Sequence, residues 1–210
     1  MSGTITSLDP DPRHAGAVRV SVNGKSYCAV RLEDVSRLGL RPGMELDEAR
    51  MAALDEAANA QAAYRAALAA IARRGFARRE LERRLIQRGH PPRAVGQALD
   101  RAESVGLLND QQFAEHFVAA KAARGRGPSR LRRDLFMRGV AQGIVDAVLE
   151  AHFGSEPDLR MPRELAERRA AQLRGLPQPV RRRRVLAYLA RRGFQGREVR
   201  RIVGEVVGVG

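Results

Sequence analysis

The sequence has no tryptophan, one cysteine, three tyrosines and six phenylalanines in 210 residues. A lone cysteine, Cys28, excludes an internal disulfide and a cysteine-built metal cage, and it suits a reducing cytoplasm. So few aromatics leave little material for platforms that stack bases, so any nucleic-acid contact is expected to be sequence-independent and weak. Nowhere do 18 apolar residues run together. The opening MSGTITSLDPDP lacks a basic segment followed by an apolar one, so neither membrane spanning nor export is expected. His14, His90, His116 and His152 share no i, i+3 or i, i+4 spacing with one another or with Cys28, which argues against a metal site. The sequence also lacks GxxxxGK[ST], GxSxG and HExxH, leaving no visible apparatus for an enzyme, a cofactor or a small-molecule substrate.

Lysine is nearly missing too, since Lys25 and Lys121 are the only two, yet Lys and Arg together number 38 against 24 Asp and Glu. Arginine therefore carries the charge. Residues 1–60 hold seven basic and nine acidic side chains; residues 61–210 hold 31 and 15, a net of +16. Guanidinium forks match phosphates and carboxylates, and such an excess favours polyanionic or acidic partners. Codon usage in a high-GC genome also favours arginine over lysine, but it does not account for the net excess.

The near-neutral head contains VRVSVNGKSYCAV at Val18 to Val30, where apolar and polar residues alternate on both sides of Asn23-Gly24; this predicts a β-hairpin. Turn-rich LGLRPG follows at Leu38 to Gly43, and Asp47 is positioned to cap an Ala-rich helix running to about Arg74.

From residue 61 onward the periodicity is helical. Gly89, Gly139 and Gly193 anchor a repeat. Eight and four positions before them stand Leu81 and Leu85, Leu131 and Leu135, Val185 and Leu189; six and ten after stand Val95 and Leu99, Val145 and Leu149, Val199 and Val203. An arginine immediately precedes each glycine. The i, i+4 pair sets two apolar side chains on one helix face, the arginine favours the negative end of the helix dipole, and the glycine accepts a left-handed C′ position. A further helix precedes each pair: to Arg74, Asn109 to Arg124, and Arg163 to Leu173. The expected fold is mainly α, with three tandem three-helix repeats in an elongated curved array behind a small β-hairpin module. The expected boundaries are 1–60, 61–108, 109–157 and 158–210.

The pentapeptide ARRGF occurs twice, at Ala72 to Phe76 and at Ala190 to Phe194. The copies lie 14 residues out of phase with the glycine landmarks, so the identity does not mark the repeat. Each is expected to be the same helix ending, a basic last turn, a C′ glycine and an apolar residue after it.

LLNDQQFAEHFV at Leu107 to Val118, followed by RGRGPSRLRRDLFMRGV at Arg124 to Val140, resembles the middle repeat of the RecX family of recombinase regulators. RRRRVLAYLARRGF at Arg181 to Phe194 is similar to that family's last repeat, and RELERRLIQRG at Arg79 to Gly89 to its first. The resemblance covers about residues 61–207. It implies a protein that binds the RecA recombinase filament in its helical groove and lowers its strand-exchange and ATPase activities, without catalysis of its own. The head is similar to an extension that some members carry.

Arginines cluster at or just before the second helix of each repeat: Arg78, Arg79, Arg83 and Arg84; Arg124, Arg126, Arg130, Arg132 and Arg133; Arg181, Arg182, Arg183 and Arg184. Stacked repeats would line them into a basic strip for DNA phosphates or acidic filament patches. The competing reading is a set of solvated helix faces partly paired by Glu80, Glu82 and Asp134. Phe113, Phe117, Phe136 and Tyr188 fall on apolar helix faces and are expected in cores. Gly127-Pro128 is expected to start a helix, and Asn109 to cap one. A different class of function, a non-specific DNA- or RNA-binding module with no recombinase partner, fits the same charge.

Overall fold

Asn23 (φ 50°) and Gly24 (φ 77°) form the two-residue turn that joins β2 (Ala17–Val22) to β3 (Lys25–Arg31), with Val22 opposite Lys25 and Val18 opposite Val30. Positive φ at both turn residues matches the twist of the flanking strands, and asparagine with glycine tolerates it. In the computed structural model, which describes residues 3–12, 14–154 and 158–208, this hairpin is half of a four-stranded antiparallel sheet of order β3-β2-β1-β4. The additional strands are β1 (Gly3–Pro10) and β4 (Glu45–Leu46). Ile5, Val20, Val30 and Leu46 are wholly buried beneath α2 (Glu48–Ile71), which contributes Leu54 and Ala57. Asp47 caps α2, its carboxylate accepting from Arg50 N–H at 2.8 Å. The short α1 (Leu32–Arg37) carries Asp34, whose buried carboxylate accepts from the guanidinium groups of Arg31 and Arg37.

The chain divides into two compact units, Met1–Leu108 and Asn109–Gly210. Residue 60 lies in the middle of α2, because that one helix serves both the sheet and the first helical repeat. Its second half packs Ala63, Tyr64, Ala67 and Ala70 against α3 (Arg78–Gln87) and α4 (Pro92–Ser104). The second unit holds α5 (Asp110–Ala122), α6 (Pro128–Arg138) and α7 (Gln142–Phe153), then α8 (Arg160–Ala171), α9 (Gln178–Arg192) and α10 (Arg197–Gly208). The boundary expected after residue 157 falls at residues 155–157, outside the described residues.

All twelve aliphatic positions of the repeat are buried, none more than 7 % exposed. Gly89, Gly139 and Gly193 take φ of 89°, 87° and 95°, so each ends its helix in the left-handed conformation. Asn109 caps α5 by accepting from Gln112 N–H at 3.0 Å, and Pro128 takes the first position of α6 after Gly127.

Three expectations are corrected. The two ARRGF copies are not the same device: Gly193 is left-handed at the end of α9, whereas α2 ends at Ile71 with Ala72 as its cap, and Gly75 is not among the left-handed glycines of the described residues. What the copies share is the phenylalanine, since Phe76 and Phe194 both enter cores. Phe136 is 41 % exposed, because it faces away from the α6 stripe formed by Leu131 and Leu135. Finally α8 starts at Arg160, three residues earlier than the periodicity suggested, where Asp158 accepts from Arg160 N–H at 2.9 Å.

Candidate polyanion-binding surface

The α3 arginines divide between structural and outward-facing roles. Arg78 is only 29 % exposed and donates to Asp100 at 2.6 Å and Glu103 at 2.5 Å, tying α3 to α4. Arg84 is half-buried with its guanidinium 5.7 Å from the Phe76 ring centroid, and Arg74 lies over the same ring at 3.6 Å. Arg79 and Arg83 are exposed, Arg83 donating its Nε–H to the Arg79 carbonyl at 3.2 Å.

In the second repeat the arginines separate to different sides of α6. Arg132 pairs with Asp146 of α7. Arg133 is exposed, with no ion pair among the described residues. Arg126 and Arg130 turn the other way and converge on Asp134, at 2.7 and 3.0 Å. Asp134 is shielded beneath them, 15 % exposed, so the shared carboxylate fixes both guanidinium groups in place.

Backbone then brings the third repeat onto the second. Gly127 N–H donates to the Arg192 carbonyl at 2.7 Å, Ser129 N–H to the Gly193 carbonyl at 3.3 Å, and Arg192 Nη1 to the Arg124 carbonyl at 3.1 Å. This interlock creates a bowl of about 500 Å³. Lys121, Arg124, Arg126 and Arg130 line it from one repeat, and Tyr188, Arg191 and Arg192 from the other. No carboxylate is among the described residues that line it. Tyr188 is half-buried, with the guanidinium groups of Arg192 and Arg169 at 5.2 and 5.7 Å from its ring centroid.

Sequence reasoning found Arg124, Arg126 and Arg130 but missed Lys121, Arg191, Arg192 and Tyr188. Arg191 and Arg192 read as a basic last turn and Tyr188 as core. The four arginines at 181–184 lie elsewhere, on the first two turns of α9. Arg181 is about 16 Å along the helix from Arg192 at 1.5 Å per residue, and it donates to the Val207 carbonyl at 2.6 Å. Arg182, Arg183 and Arg184 are exposed, and the first two border a hollow of about 410 Å³ beside the end of α10.

The second unit matches two family models, described as the second and third three-helix domains of RecX, over residues 109–149 and 163–203. Regulatory protein RecX of Halorhodospira halophila is 42 % identical over 152 residues, covering 70 % of this chain and 90 % of that protein. The chain belongs to the RecX family. The fold agrees as well. A crystal structure of regulatory protein RecX covers 99 % of this chain and 100 % of its own with a TM-score of 0.77 at 21 % identity, and RecX from Lactobacillus salivarius covers 72 % and 98 % with a TM-score of 0.61 at 18 %.

RecX is a family of regulatory proteins, and membership gives this chain a regulatory role. The bowl spans both matched RecX domains: Lys121 to Arg130 fall in the second and Tyr188 to Arg192 in the third. No helix among the described residues is long and apolar enough to cross a membrane.

Proposed function

We propose that this RecX-family chain binds the filament that RecA recombinase forms on single-stranded DNA, and lowers its ATP turnover and strand exchange without catalysis of its own. The setting is the cytoplasm, in DNA repair and recombination. The protein bridges neighbouring recombinase subunits, so that its arginines restrain the filament while weak, sequence-independent DNA affinity holds it nearby. One observation carries this reading: a chain of a regulatory family concentrates six cations in a bowl lined, among the described residues, by no carboxylate, and keeps Arg79, Arg133, Arg182, Arg183 and Arg184 exposed. Exposed guanidinium groups in such number repel one another and are relieved by a partner of regularly repeated negative charge.

The bowl also favours a second reading, a nucleic-acid binder that needs no recombinase. Co-sedimentation separates the two. On the first reading the wild type is retained by recombinase–DNA filaments well beyond its retention by naked DNA, and changing Arg181, Arg182, Arg183 and Arg184 together to Ala lowers that retention about tenfold or more. Equal retention with and without recombinase would leave the second reading standing alone.

A further inference from the structure

The bowl between the second and third repeats differs in kind from the other arginine clusters. Arg182, Arg183 and Arg184 occupy consecutive helix positions about 100° apart, so their side chains fan out around α9 and cannot converge on one group. Arg78 and Arg132 are occupied by carboxylates of this chain. In the bowl, cations from the end of α5, the α5–α6 loop, the start of α6 and the end of α9 meet around one space. Six cations and the single shielded carboxylate of Asp134 leave a net charge of +5 around about 500 Å³.

The arrangement is prebuilt. Asp134 orients Arg126 and Arg130, the Arg124 carbonyl holds Arg192, and the Gly127–Arg192 main-chain bond fixes the two rims. Holding these side chains before binding lowers the ordering cost that long, flexible cations otherwise impose. We infer that this bowl is a phosphate-binding site that takes two or three consecutive phosphodiesters of a nucleic-acid strand. The inference rests on the reading of this chain as a binder of a nucleoprotein filament, and it assigns the DNA contact to one place in it.

Two features select phosphodiester over the carboxylates of an acidic protein, and a third selects the backbone over the bases. A carboxylate is planar, with two acceptor oxygens that the fork of one arginine can satisfy, whereas a phosphate spreads acceptor oxygens tetrahedrally toward donors from several directions. The bowl supplies donors from four segments of chain. Its volume of about 500 Å³, open to solvent, leaves room for a strand whose charges recur at short regular intervals. Tyr188, the one aromatic lining residue, already has two guanidinium groups beside its ring, so the bowl reads the backbone and not the bases.

The test compares two triple variants of the full chain with the same loss of charge. One is Lys121→Gln with Arg124→Gln and Arg191→Gln, which spares Arg126, Arg130 and Arg192; the other is Arg182→Gln with Arg183→Gln and Arg184→Gln. Fluorescence anisotropy with labelled oligothymidylate, oligouridylate and a DNA duplex of equal length measures affinity against salt. The bowl variant should lose about tenfold or more in affinity on at least one of these, and its log-log salt slope on a single strand should fall by about 1.4 to 2.1, at about 0.7 per phosphate lost. The arm with the largest loss names the source of the phosphates. The α9 variant should change both quantities much less. Equal losses in the two variants, or an unchanged slope in the bowl variant, overturn the site. Loss of recombinase binding without DNA, with nucleic-acid affinity intact, would also overturn it and assign the bowl to protein. A recombinase unaffected by the wild type would remove the recombinase reading while leaving this result in place. Matching thermal melts of both variants and the wild type show that folding is not what changed.

Discussion

A Cβ on Gly127 would lie 2.6 Å from the carbonyl oxygen of Gly193, and a Cβ on Gly193 would lie 2.5 Å from the main-chain nitrogen of Arg130. Two repeats meet here backbone to backbone, and neither rim has room for a side chain. Because the opposing atoms are main chain, they cannot rotate away as a side chain could.

Substituting these glycines should therefore separate contact from conformation. Gly89→Ala meets nothing within 4 Å and carries only the left-handed penalty of its φ of 89°, about 1 kcal/mol. Gly193→Ala adds the clash with Arg130 and should destabilise the protein by about 3 kcal/mol or more. Gly127→Ala, with an ordinary φ, should cost about 2 to 3 kcal/mol from the clash alone. Equilibrium urea unfolding checks the order. Equal midpoints for the Gly89 and Gly193 variants would contradict the interlock.

Asp34 should give the head an acid-sensitive component. Burial by itself raises the pKa of this carboxyl, but hydrogen bonds from Arg31 and Arg37 outweigh it, and the net direction is downward. A carboxyl lowered on folding adds stability that is fully present above its unfolded pKa and is lost as pH falls through its folded pKa. Asp34→Asn should cost about 2 kcal/mol at pH 7, moderated by the exposure of Arg37, and should flatten the pH dependence of stability below about pH 4. Urea midpoints at pH 7 and pH 3 measure both effects. A variant that loses as much stability as the wild type between those pH values would rule out this origin.

Cys28 should be a sluggish thiol. Burial, with a smaller contribution from the Asp55 carboxylate, pushes its pKa up to about 12, and the neighbouring Tyr27 donates to Asp55 at 2.6 Å, which also raises that phenol to about 12. The thiolate is the reactive form, although a more basic thiolate attacks somewhat faster. Alkylation by iodoacetamide at pH 8 should be roughly 30- to 100-fold slower than for free cysteine. A rate matching free cysteine would show that the head opens readily at β3.

The helical frame was legible because its information is local. Leu131 with Leu135, or Val199 with Val203, declares a buried face within one turn, and Asn23-Gly24, Asp47 and Asn109 mark a turn and two helix starts by their own chemistry. Strand β1 was missed because a register shift between Ile5 and Ser7 breaks the alternation a strand is recognised by, and β4 is two residues long. The bowl was half legible. Arg124, Arg126 and Arg130 stand close together, but Tyr188, Arg191 and Arg192 come from about 60 residues further on and join them only through the Gly127–Gly193 approach. Two glycines, each directly preceded by an arginine, in adjacent repeats were the available signal, and each was explained by its own helix end.

Restraint of a recombinase filament is read out by ATP turnover by RecA on single-stranded DNA with this protein in several-fold excess over filament sites. Turnover should fall, and the variant lacking the four arginines at 181–184 should lower it much less. Turnover unchanged at that excess would contradict restraint.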